Sequence, residues 1–74
     1  MRLSTLEIKE IENICNTMVE LIDSETLAYI LEEPFDSEDG ILANDAFFES
    51  EVLSNSDYDL VGEYAHNYLS GKVL

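Results

Sequence analysis

The chain has 74 residues and a formal net charge of -14 at pH 7, with seventeen Asp and Glu against three Lys and Arg, while 46% of its residues are hydrophobic. That length excludes two domains and leaves one with a small core, and the hydrophobic share is that of a globular domain rather than a disordered acidic tail. The three cations, Arg2, Lys9 and Lys72, lie near the chain ends, so the basic patch needed for direct nucleic-acid binding, or for docking on an anionic membrane, is missing.

In chain order, Ser4 with Glu7 three residues on forms a capping box, in which side chain and backbone satisfy each other's orphan amides at a helix start. Ile8, Ile11, Cys15, Met18 and Ile22 then recur at spacings of three and four, widened by Ile14, Val19 and Leu21 into a core face. Glu10, Asn13, Thr17 and Glu20 fall on the opposite side. Asp23 and Ser24 are N-cap candidates for a second helix over about 24 to 33, carrying Leu27, Ile30 and Leu31. One unbroken helix from 5 to 33 is the alternative. Either ends before Pro34, which pushes Glu33 out of the helical region.

Residues 31 to 40, LEEPFDSEDG, form an acidic loop around 34-40, and Gly40 permits a turn there. A third helix is expected around 44 to 54, through Phe47, Phe48, Val52 and Leu53, with Asn44 as its cap if Ile41, Leu42 and Ala43 are extended. The last helix opens at Ser56 with Asp59 in capping register. It continues through Leu60, Val61, Tyr64, Ala65, Tyr68 and Leu69 and closes on Gly71, with Lys72 complementing the dipole. No strand signal stands out. The fold class is all-α: residues 1-74 form a small single-domain bundle of three to four short helices. A bundle this small buries little, so a homodimer is a further expectation, provided its interface avoids acid-on-acid contact.

The inventory for chemistry is thin. Anchoring an EF-hand on Gly40 puts Phe35 at its first position and Ala46 at its last, where oxygen ligands are required, so no dedicated calcium site is expected. Cys15 stands alone among apolar neighbours and reads as a small buried hydrophobe. His66, with Glu63 three residues before it, reads as an ordinary surface histidine, because no second His or ligating Cys completes a metal site. With no Gly-rich phosphate loop and no concave pocket for paired carboxylates, the chain is read as no enzyme, with no cofactor and no metal. No apolar run reaches membrane-spanning length and MRLSTLEIKE lacks signal-peptide character, so a cytoplasmic protein is expected.

The charge pattern remains. From Glu10 to Gly71 there is no Lys or Arg, so most of these acids must face water or an external cation. Ordinary solubility needs a net charge of about 2–8 in a small domain, and this chain exceeds it. Carboxylates three or four residues apart on a helix have Cβ atoms about 5–6 Å apart, comparable to successive phosphates on a nucleic-acid strand. In size, charge and scarcity of Lys and Arg, the chain resembles the small acidic decoys carried by phages and plasmids. That resemblance of class implies a DNA mimic occupying the basic groove of a CRISPR effector complex, a restriction enzyme or a DNA-repair enzyme.

The residues expected to carry such binding are Glu32, Glu33, Asp36, Glu38 and Asp39 in the loop, with Asp45, Glu49, Asp57 and Asp59 next. Phe35 and Tyr58, each set among acids, serve either as exposed anchors or as core. The partner is a basic nucleic-acid-binding protein, not nucleic acid itself. Two alternatives stand beside this reading. One is an immunity protein or antitoxin that neutralises a basic nuclease through aromatic hot spots. The other is an adaptor that docks a partner through an apolar helix face.

Overall fold

The computed structural model describes residues 2–73, and every described element is helical: α1 (Thr5–Leu21), α2 (Ser24–Glu32), a single 3-10 turn (Ile41–Ala43), α3 (Ala46–Glu49) and α4 (Tyr58–Val73). The capping box forms as the spacing predicts, with Ser4 N–H donating to Glu7 Oε1 at 2.8 Å and Glu7 N–H to Ser4 Oγ at 3.2 Å. The stretch from 5 to 33 is two helices. Ile22 adopts extended angles and closes α1, and Asp23 then caps α2 by accepting from Thr26 N–H at 2.9 Å. Glu33 is extended ahead of Pro34, which ends α2.

Three boundaries differ from expectation, each for a local reason. The helix expected over 44 to 54 is only the four residues of α3. Ser50 turns extended there, donates to Glu10 Oε2 at 2.5 Å and accepts from Leu53 N–H at 3.4 Å, so the chain is pinned to α1 and leaves the helical path. Ile41–Ala43 form a 3-10 turn instead of an extended stretch, and Asn44, one residue before the N-cap position Asp45, accepts from Ala46 N–H at 3.0 Å. At the start of α4 the capping acceptor is Asp57, bonded to Asp59 N–H at 3.0 Å, and not Ser56, whose hydroxyl donates to Glu7 Oε2. Gly71 lies inside α4, which runs on to Val73, and nothing crowds it.

Side-chain pairs between α1 and α4 ascend together, so the two helices run parallel: Cys15 Sγ lies 3.8 Å from Ala65 O, Tyr64 donates to Glu12 at 2.6 Å and Tyr68 to Asn16 at 3.2 Å. Their shared apolar face, Ile11, Cys15 and Met18 against Val61, Ala65 and Leu69, is the centre of the core. Leu27, Ile41, Leu42, Phe47 and Leu53 close over it. Val19 and Leu21 do not widen this face and are 40% and 79% exposed, one on each of its flanks. The Cα radius of gyration, 11.2 Å, is that of a fully collapsed chain of this length, about 11 Å.

The acidic loop is an ordered part of this packing. Its backbone folds through two successive turns, Ser37 N–H to Pro34 O and Gly40 N–H to Ser37 O, each 3.1 Å, and is tied on by Leu42 N–H to Phe35 O at 3.2 Å. Gly40 is needed for space: a Cβ there would lie 2.0 Å from Pro34 O. Phe35 is partly buried and packs against the core. Its ring fills the notch left by Gly62 on α4, where a Cβ would meet the ring at 2.2 Å.

The two helical glycines of α4 therefore respond oppositely to alanine. Gly62→Ala should cost about 1–3 kcal/mol by overfilling the notch, less in a Phe35→Ala background, although it improves helix propensity. Gly71→Ala meets open space and should stabilise by up to about 1 kcal/mol. Urea denaturation of the three single variants and the Gly62/Phe35 double variant checks both signs.

Candidate functional site

The chain handles its acids in two ways, and the difference defines the candidate surface. Some carboxylates are bonded internally to hydroxyl donors: Glu7 by Ser56, Glu10 by Ser50 and Glu12 by Tyr64. These join α1 to the other elements and are half-buried. Ser56 first, then Ser4, holds the Glu7 carboxyl below its ordinary value of 4.5. Thr26 similarly lowers Asp23 from 3.8, through its side chain first and its backbone N–H second. The hydrogen bond to Glu12, with lesser help from burial, pushes the Tyr64 phenol up to about 12.

Most of the expected site residues fall in the other class. Glu32, Asp36, Glu38, Asp45, Glu49 and Asp59 are exposed, and their carboxylates take no hydrogen bond among the described residues. Glu33 is half-buried at the end of α2. Asp39 is exposed and accepts from Tyr29 Oη at 3.3 Å, tying the loop to α2. Asp57 is exposed and occupied as the acceptor at the start of α4. Among the described residues no three His, Cys, Asp or Glu converge closely enough to hold a metal ion.

Local packing sorts the nine into two groups. Glu32, Glu33, Asp36, Glu38 and Asp39 sit on or beside the loop that Phe35 anchors to α4. Asp45 and Glu49 lie at the two ends of α3 and Asp57 and Asp59 at the start of α4, and these elements meet where Phe48 stacks on Tyr58 with ring centroids 4.9 Å apart. Tyr58 is half-buried and lies 3.4 Å from Phe47 O, whereas Phe48 is 57% exposed. The exposed aromatic in this acidic setting is therefore Phe48, which a helical reading of 44 to 54 had placed in the apolar stripe.

Two side chains behave differently from expectation or more specifically. His66 is half-buried, and its Nε2 lies 2.8 Å from Leu31 O, so it donates to the last turn of α2 instead of standing free on the surface. A helix ending without a Gly or Lys cap was the available signal, since such an end leaves carbonyls that need donors. Cys15 is fully buried, and desolvation, assisted by Glu12, pushes its thiol up to about 12. It fills the core as a small hydrophobe.

A third feature was not visible as a site in the sequence: an apolar groove of about 320 Å³ along the exposed side of α1, lined by Ile14, Met18, Leu21 and Ile22 with Asn44 and Ala46 opposite. Among the described residues no helix is long and apolar enough to cross a membrane. Comparison of the chain with family models, with curated proteins and with solved structures finds no match.

These groups predict how stability depends on salt and pH. The self-repulsion of a chain at -14 is screened by salt, so stability at pH 7 should rise with added salt, while the shifted groups set the pH dependence. Glu7 and Asp23 have lowered folded values, so their contribution is complete above 4.5 and 3.8 and is lost as the pH falls through the lowered values. Tyr64 has a raised folded value, so its contribution is complete below pH 10.0 and is lost as the pH rises through about 12. Thermal melts across pH, with Tyr64→Phe abolishing the alkaline part, check each arm.

Proposed function

We propose that this protein is an inhibitor that acts as an acidic nucleic-acid mimic, occupying the basic groove of a nucleic-acid-binding protein. The observation that carries the reading is the set of exposed, unbonded carboxylates held on ordered backbone in a chain with no Lys or Arg from Glu10 to Gly71. A groove organised for phosphates offers Lys and Arg in fixed positions, and carboxylates on an already ordered backbone form charge-assisted bonds there without the cost of ordering the main chain. The like charge that destabilises the free domain also steers its association. The work proposed is binding rather than catalysis. The target class follows the resemblance to phage and plasmid decoys: a CRISPR effector complex, a restriction enzyme or a DNA-repair enzyme.

A specific observation supports the immunity-protein alternative as a second reading. Phe48 is 57% exposed and stacked on Tyr58 amid Glu49, Asp57 and Asp59, which has the form of an aromatic anchor with an acidic rim. Under that reading, Phe48→Ala weakens binding more than any single acid reversal.

The mimic reading predicts capture of a nucleic-acid-binding protein from host lysate that both duplex DNA and high salt displace. Single reversals such as Glu38→Lys should lower affinity several-fold, mainly through the association rate, and Glu32, Asp36, Glu38 and Asp39 reversed together should abolish it. A captured partner indifferent to duplex DNA, or a fourfold variant that still inhibits, would overturn the reading.

A further inference from the structure

The apolar groove beside α1 continues into a second one. The first, about 320 Å³, and the second, about 350 Å³, share Met18, Ile22 and Asn44, and the second adds Ile30, Ile41 and the half-exposed Tyr29. Together they form one furrow along the corner where α1 stops and α2 begins. Its floor is apolar because the last turns of α1 carry the core-type residues Ile14, Met18, Leu21 and Ile22, with Ala46 of α3 facing them. Leu21, 79% exposed, stands on its edge.

The rim is acidic. Glu38 and Asp39 line the second part, and Asp45 lies between Asn44 and Ala46, which line the first. No Lys or Arg occurs in the chain between Lys9 and Lys72 to neutralise them. A second copy of the chain is a poor occupant, since a twofold interface here would set this acidic rim against its own counterpart at -14 per chain. The complementary occupant has apolar side chains for the floor and cations for the rim.

We propose that this furrow docks a basic amphipathic helix of the protein partner, with apolar side chains at helical spacing seated along Ile14, Met18, Ile22 and Ile30 and its Lys or Arg residues meeting Glu38, Asp39 and Asp45. The proposal rests on the reading that the partner is cationic, and it adds an apolar anchor to it. Burial of the floor supplies affinity that salt does not screen, and the rim selects against acidic or neutral helices.

The test uses the full chain and a synthetic helical peptide with Leu at i, i+3, i+4 and i+7 and Lys at its exposed positions, followed by backbone amide NMR. The expected result is saturable shifts at Met18, Leu21, Ile22, Tyr29, Ile30 and Asn44. Replacing the peptide's Leu with Ser, or its Lys with Glu, should weaken binding about tenfold or more. Leu21→Ser should weaken it while leaving the thermal melt unchanged, because that side chain is already in solvent. Equal binding of the Leu and Ser peptides, equal binding of the Lys and Glu peptides, or shifts that spare α1 would each overturn the proposal. Concentration-dependent shifts at the furrow without peptide would assign it to a second copy instead. Since this assay needs no target, it fails or succeeds separately from displacement by DNA.

Discussion

The constraint on which this structure turns is the lack of internal cations. A domain of ordinary charge balance would close its half-buried carboxylates with Lys or Arg, and this one has none between Lys9 and Lys72. Hydroxyl groups take that place. Ser56, Ser50 and Tyr64 donate to Glu7, Glu10 and Glu12 in succession along α1. The three acids tie α1 to the start of α4, to the end of α3 and to the middle of α4. A hydroxyl satisfies a carboxylate without neutralising it, so the fold is tied together and the field stays negative.

Two of these hydroxyls sit where the chain leaves helical geometry. α3 ends after one turn at Ser50, whose hydroxyl is held on Glu10, and α4 is capped by Asp57 next to Ser56, whose hydroxyl is held on Glu7. Beside the short α3 the end of α1 carries the apolar furrow, with Leu21 in solvent on its edge. The exposed carboxylates have a separate origin, the absence of cations that could close them. The parallel seam of α1 on α4, with Lys72 Nζ 5.3 Å over the Tyr68 ring at its far end, supplies the rigid base for both.

The acidic loop illustrates how packing and charge cooperate. Its carboxylates would be ineffective on a wandering segment, because ordering them on binding would consume much of the affinity. Phe35 removes that cost by seating its ring in the space left at Gly62, and Gly40 lets the returning chain pass against Pro34 O. The loop is held at its middle by an apolar plug, and Asp36 and Glu38 project around it into water.

The local and periodic features were legible in the sequence itself. The capping box at Ser4, the Ile11, Cys15 and Met18 face, the stop before Pro34, the all-helical class and the burial of Cys15 all follow from spacing and backbone chemistry within a few residues. The exposure of most loop acids was legible too, since a chain without cations has nowhere else to send them. Only the tertiary structure decided what depends on residues far apart: the use of Gly62 as a socket, the bonding of Glu10 by Ser50, the role of His66 on Leu31 O, the single turn of α3 and the furrow beside it. Helical periodicity records which side chains share a face, but not whether another element is long enough to cover that face or which distant hydroxyl will claim a carboxylate.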